Sequence, residues 1–257
     1  MPALAVTALI GLGAGLLSGM FGVGGGVLTT PAMRLILDSP ALVAVGTPLP
    51  VIIPTAITGA WAYWRRGLID LRAGVAIGLW GSVAAVLGAY LSDVAGGRFV
   101  MFATAALIVY MAVDLLRQAF SEAPAKAPIH DAHPRRGPAL AALGAATGMY
   151  SGFLGLGGGF VLVPLLSRWF GLPIKRAIGT SLVAVAILAV PGSITHAALR
   201  HIDYGLALGL MAGVVPGALW GAKLTAVTSD RWVRLGFAAL LVLTGVALAL
   251  NEFGALR

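Results

Sequence analysis

Two stretches of this chain gather glycine densely enough to break a helix: FGVGGGVLTTP at 21–31 and FLGLGGGFVLVP at 153–164. Glycine is about 1 kcal/mol less favourable than alanine inside a helix. Four of them within five positions, Gly22, Gly24, Gly25 and Gly26, therefore predict an interruption, and Gly155, Gly157, Gly158 and Gly159 predict a second. A helix that restarts after such a break presents unpaired N–H groups and partial positive charge. Glycine also lets a ligand approach the backbone closely. Together these features bind anions.

The hydroxyls near the breaks are Thr29, Thr30, Thr47, Thr180 and Ser181, and the interiors of the long apolar segments hold no Asp or Glu that would neutralise a cation. The expected binding residues for a small anion are Gly24, Gly25, Gly26, Thr29, Thr47, Gly157, Gly158, Gly159, Thr180, Ser181 and His196. His196 titrates in a useful range, so it either contacts the anion or carries a coupling proton. The plainer alternative is a hydrogen-bonded histidine near a segment end, four residues before Arg200.

Two other chemistries fit some of the same residues. Ser151 with His196 suggests an intramembrane serine hydrolase, although GMYSG departs from the GxSG pattern of such enzymes. Ser18 also occupies the equivalent repeat position with no histidine to match. An anion channel would share the lining of a transporter. No metal or cofactor is expected: the chain has no cysteine, and His130 and His133 lack a carboxylate cluster and read as exposed loop residues.

The elements that position these residues are set by composition. Of 257 residues, 59% are hydrophobic and 10% charged, with mean hydropathy +0.97; soluble domains carry roughly 25% charged residues. The expected class is an all-α polytopic membrane protein. A net charge of +8 then reads as basic cytoplasmic loops rather than as a nucleic-acid surface. The expected partners are a small anionic substrate and the lipid bilayer, with a homo-oligomer left open. The apolar start lacks the basic region of a secretory signal and reads as part of the mature protein.

Uncharged stretches fall at 1–33, 39–64, 73–92, 99–113, 137–167, 177–199, 204–222 and 235–251. Most match the ~20 residues of a spanning helix. Stretches 1–33 and 137–167 would be about 50 Å long as straight helices, and both contain a glycine cluster. Each is expected to be two short pieces, either a re-entrant hairpin or a pair of broken crossings. A shift of 133 residues aligns the halves without a gap, pairing Ser18-Gly19 with Ser151-Gly152, Pro31 with Pro164, Gly46-Thr47 with Gly179-Thr180, and Asp70 with Asp203. The expected organisation is a first repeat at 1–120, a cytoplasmic linker at 121–137 and a second repeat at 138–257. Asp70 and Asp203 each precede an apolar run, as N-caps do. Trp61, Tyr63 and Trp64 beside Arg65-Arg66 read as an interfacial belt.

Five segments per repeat invert the second half. With loop 65–72 inside, thirteen basic residues then lie inside and four outside; parallel repeats would leave nine and eight. The positive-inside rule favours inverted repeats of about five helical segments each, with both termini outside.

The paired motifs SGMFGVGGGVLTTP with GTPLPVIIPTAITG, and SGFLGLGGGFVLVP with GTSLVAVAILAVPGSITH, resemble the sulfite exporter TauE/SafE family over nearly the whole chain. The resemblance implies a multi-pass transporter moving sulfite, sulfonates or related small organic anions across the bacterial inner membrane. With two inverted breaks meeting near the midplane, the expected function is a secondary transporter of sulfite, a sulfonate or a related organosulfur anion, working by alternating access between the repeats.

Overall fold

The computed structural model describes residues 2–120 and 136–254, and the elements found there are all α-helices. The first half holds α1 (Pro2–Phe21), α2 (Gly26–Leu35), α3 (Ala41–Gly46), α4 (Pro48–Trp64), α5 (Leu71–Ala95) and α6 (Gly97–Phe120). The second holds α7 (Arg136–Leu154), α8 (Gly159–Trp169), α9 (Ile174–Ala198), α10 (Tyr204–Val227) and α11 (Asp230–Gly254). The 133-residue shift lays α1, α2, α5 and α6 onto α7, α8, α10 and α11. One element differs. Where α9 is continuous, the first half divides at Thr47, because Pro48 and Pro50 supply no N–H to carry the helix through. The expected linker lies outside the described residues as far as position 135.

Among the described residues, six helical stretches are long and apolar enough to cross a bilayer: Ala41–Trp64, Leu71–Ala95, Gly97–Asp114, Ile174–Ala198, Tyr204–Val227 and Asp230–Asn251. The chain is a polytopic all-α membrane protein. Asp70 and Asp203 cap α5 and α10 as the sequence suggests, their Oδ1 atoms accepting from Ala73 N and Leu206 N at 3.0 Å. Each also ties the halves together. Asp70 N donates to Thr180 Oγ1 at 2.8 Å, and Asp203 N donates to Thr47 Oγ1 at 2.9 Å.

Small residues set the packing. Gly11, Gly15 and Gly19 of α1 face the backbone of Leu210, Val214 and Ala218, while Gly213, Gly217 and Gly221 of α10 face Ala8, Leu12 and Leu16. A methyl group at any of them would overlap the opposing carbonyl. The numbers rise together, so α1 and α10 run parallel in backbone contact, the geometry that small residues permit between membrane helices. The same seam joins α7 to α5, where Gly144, Gly148 and Gly152 meet Ile77, Gly81 and Ala85. By contrast α4 and α9 run antiparallel: Gly59 rests on Leu182 and Gly192 on Leu49.

These directions define the two long glycine-bearing segments. Helix α1 starts at the end of the molecule where α10 starts, and α3 packs at that same end, with Gly46 against His201 and Gly97 beside Ala41. So α1 and α2 form a hairpin that returns to its starting end. Helices α7 and α8 form a second hairpin from the opposite end, where α5 starts and Gly179 lies against Leu68 and Ile69. Arg66 and Lys175 gather at that second end, donating to Ala222 O at 2.7 Å and Ala226 O at 3.3 Å.

Candidate functional site at the paired helix breaks

The tips of the two hairpins are the glycine clusters. Gly22, Gly24 and Gly25 have φ of 73°, 78° and 91°, and Gly155, Gly157 and Gly158 have 68°, 78° and 80°. A side chain in this left-handed region costs about 1–2 kcal/mol per residue. Gly26 and Gly159 have another reason to be glycine. A methyl on Gly26 would lie 2.6 Å from the Leu156 carbonyl carbon, and one on Gly159 would overlap the Gly22 carbonyl. The tips therefore press on each other. They meet where Ile52 and Val185, at the middles of the α3–α4 span and of α9, contact Gly24 and Ile52 also contacts Gly157.

Each tip starts a short helix whose N-terminus is buried and carries no side-chain cap. Gly25 is the N-cap of α2 and Gly158 that of α8. The Gly25 carbonyl accepts from Leu28 N at 3.1 Å and Thr29 N at 3.0 Å; the Gly158 carbonyl accepts from Val161 N at 3.3 Å and Leu162 N at 3.2 Å. Helix geometry leaves the N–H groups of Gly26, Val27, Gly159 and Phe160 without an intrahelical acceptor.

Beside each N-terminus stands a serine. The Cβ position of Gly25 is 3.9 Å from Ser18 Cβ and 3.9 Å from Thr55 Cγ2; that of Gly158 is 3.6 Å from Ser151 Cβ and 3.5 Å from Tyr150 Oη. Ser18 and Ser151 are fully buried, and among the described residues their Oγ atoms are the buried side-chain polar atoms without a hydrogen-bond partner. Several buried hydroxyls elsewhere bond back to a carbonyl one turn earlier, as Thr55 does to Val51 O at 2.6 Å and Thr147 to Leu143 O at 2.6 Å, and others bond across the halves, as Thr30 does to Gly155 O at 3.4 Å. Bonding back is the usual resort of a hydroxyl in a membrane helix. The two unpartnered hydroxyls are 133 residues apart, one at each break.

The residues expected from sequence divide into two sets. The six glycines come together at the tips. The hydroxyls near them mostly build the tips: Thr29 donates to Gly25 O at 3.1 Å, Thr30 to Gly155 O at 3.4 Å, and Ser181 to Gly22 O at 2.9 Å. Thr47 and Thr180 sit at opposite ends on the Asp203 and Asp70 backbone. His196 is buried with both ring nitrogens engaged, Nε2 with Gly152 O at 2.9 Å and Nδ1 with His201 Nδ1 at 3.2 Å. Ser151 makes no hydrogen bond to it, so the serine–histidine pair of a hydrolase is not assembled.

Ser18 and Ser151 were visible in the sequence only as a matched pair; nothing there showed that their hydroxyls are unpartnered. Tyr63 is a correction. Trp61 and Trp64 are exposed as an interfacial belt requires, but Tyr63 is fully buried and donates from Oη to Gly19 O at 2.9 Å. A tyrosine between two tryptophans on a helix points another way, and α4 turns it inward. Among the described residues no cluster of three or more metal-ligating side chains occurs.

Curated relatives match most of the chain. The probable membrane transporter protein YunE of Bacillus subtilis (strain 168) is 27% identical over 250 residues, covering 88% of each chain. The probable membrane transporter protein YdhB of the same organism is 28% identical over 212 residues, 82% of this chain and 86% of the relative. The probable membrane transporter protein MJ0441 of Methanocaldococcus jannaschii is 24% identical over 261 residues, 94% of each. No solved structure matches. The family model described as sulfite exporter TauE/SafE matches residues 7–248, which takes in both hairpins and both parallel seams: the chain belongs to the TauE/SafE family of membrane transporters.

Proposed function

We propose that this transporter is a secondary carrier of a small oxyanion, namely sulfite, a sulfonate or a related organosulfur anion, bound at the paired breaks. One observation carries the reading: two buried, uncapped helix N-termini each stand beside a buried serine hydroxyl with no partner. Two N-termini directed to the middle of the protein supply fixed positive potential without a charged side chain, and the serines add donors. An oxyanion has several acceptor atoms to satisfy them. Half-helix ends at the centre of a transporter are the usual setting for an anionic substrate.

The architecture supports alternating access. The antiparallel run of α4 on α9 and the opposite entry of the two hairpins support inverted repeats. Each hairpin travels with its seam, α1 on α10 and α7 on α5, so rocking one seam pair against the other would open the tips to either side. The end that gathers Arg66 and Lys175 is the cytoplasmic one by the positive-inside rule, which puts the linker inside and both termini outside a bacterial cytoplasmic membrane.

The test is flux in liposomes reconstituted with the full chain. Labelled sulfite and a short alkyl sulfonate should enter with saturable kinetics and accelerate when unlabelled anion is trapped inside. Ser18→Ala and Ser151→Ala should each weaken half-saturation by about tenfold, the loss of one charge-assisted hydrogen bond. Unsaturable flux with large unitary currents would assign a channel. Saturable transport of chloride or phosphate with sulfite excluded would refute the substrate class.

A further inference from the structure

A side-chain chain near the end of α9 lies outside the anion site. His196 Nε2 is 2.9 Å from the Gly152 carbonyl of α7, its Nδ1 is 3.2 Å from His201 Nδ1, and His201 Nε2 is 3.1 Å from Asp93 Oδ1 of α5. Both histidines are buried, while the Asp93 side chain is 47% exposed. The chain thus runs from a carboxylate that reaches the surface to the helix that carries Ser151.

Counting donors shows what this arrangement holds. A carbonyl and a carboxylate only accept, so both Nε2 atoms must carry hydrogen. The Nδ1–Nδ1 contact needs one hydrogen between two nitrogens. Three contacts therefore require three hydrogens on four nitrogens, one more than two neutral imidazoles possess. The extra proton rests on either ring, its charge balanced by Asp93. When it leaves through Asp93 Oδ1 to water, two hydrogens remain for three contacts, so one contact of His201, with His196 Nδ1 or with Asp93 Oδ1, is left without a hydrogen between its partners. Such a contact is repulsive, and either one loosens the α9–α10 loop that carries His201.

The first half makes the same tie without an imidazole. Tyr63, the counterpart of His196, donates to Gly19 O, the counterpart of Gly152 O. His201 and Asp93 are matched there by Leu68 and Ala226. Around the pair, α3 meets His201 through Gly46, and on its own loop Arg200 adjoins it while Asp203 caps α10.

We propose that Asp93, His201 and His196 form the binding site of a coupling proton, present in one repeat only. Protonation clamps the α9–α10 loop onto α5; release frees the α5–α7 seam and its hairpin to move. The proton site stands on this geometry, and its coupling role rests on the transporter reading above.

The test uses the full chain labelled with ¹⁵N-histidine in detergent micelles, titrated across the ordinary histidine range. His196 and His201 should shift together in one step that takes up a single proton, and Asp93→Asn should weaken that uptake about tenfold, roughly one pH unit. Independent titration of the two rings, or an unchanged midpoint in Asp93→Asn, would overturn the site. In sulfite-loaded liposomes an imposed pH gradient should alter wild-type flux, and Asp93→Asn should keep downhill flux but lose the response. Wild-type flux blind to the gradient would overturn the coupling. If no sulfite moves while the rings titrate as one, the anion reading fails and the proton site stands.

Discussion

Gly25 and Gly26 are neighbours and both glycine, yet for different physical reasons. Gly25, at φ 91°, has ordinary van der Waals space around its Cβ position; Gly26 has an allowed backbone but meets the Leu156 carbonyl at 2.6–2.7 Å. Gly25→Ala should lower unfolding stability by about 1–2 kcal/mol through backbone strain, whereas Gly26→Ala should do more harm by forcing the two tips apart; thermal unfolding in detergent would rank them. The serines behave oppositely. A buried hydroxyl without a partner costs about 1–3 kcal/mol, so without anion Ser18→Ala and Ser151→Ala should be neutral or stabilising, and the stabilisation that sulfite gives the wild type should shrink. Destabilisation by both would mean that the serines are structural. The glycine breaks were legible in the sequence because glycine is costly in a helix. Which glycine answers to φ and which to close approach was not, since that depends on the facing chain. Tyr63 was misread for a related reason: a helix that is apolar all round gives no periodic signal for its inward face.

At the scale of elements, the seams are the sensitive features. Gly13 and Gly15 lie on α1 two residues apart, but only Gly15 faces α10; the Cβ position of Gly13 meets nothing nearer than Leu28 Cδ2 at 3.8 Å. Gly13→Ala should therefore be tolerated and slightly favour the helix, while Gly15→Ala should open the α1–α10 seam. Size-exclusion profiles and unfolding temperatures would separate the two, and equal behaviour would mean that the backbones are not in contact. The helix boundaries near Asp70 and Asp203 and the division of the long segments followed from punctuation that the halves share. The hairpin form of α1–α2 did not, because charges mark where segments end and not how deep they go. Pro48 and Pro50 were plain in the sequence, but the split at Thr47 passed unnoticed inside an otherwise unbroken apolar run.

For the whole molecule, membrane class was written in the composition, while the placement of one half on the other came from the packing. The inverted repeats proposed above would place matched residues on opposite sides of the bilayer. Arg98 and Arg231 are such a pair, both exposed, on a chain with no native cysteine. In intact cells a membrane-impermeant maleimide should label Arg98→Cys, and should reach Arg231→Cys only after permeabilisation; labelling of both from one side would contradict inverted repeats. The proposed anion site lies between the halves, where neither hairpin alone could form it. The central claim is that two uncapped helix N-termini and two unpartnered serines hold one small sulfur oxyanion. Its most direct test is equilibrium binding of sulfite to the purified full chain, beside chloride, acetate, phosphate and a short sulfonate, with the Ser18→Ala/Ser151→Ala double variant in parallel. Selective sulfite or sulfonate binding that falls at least about tenfold in a normally folded double variant is the result predicted. Equal affinity in the double variant, or no discrimination among the anions, would contradict it.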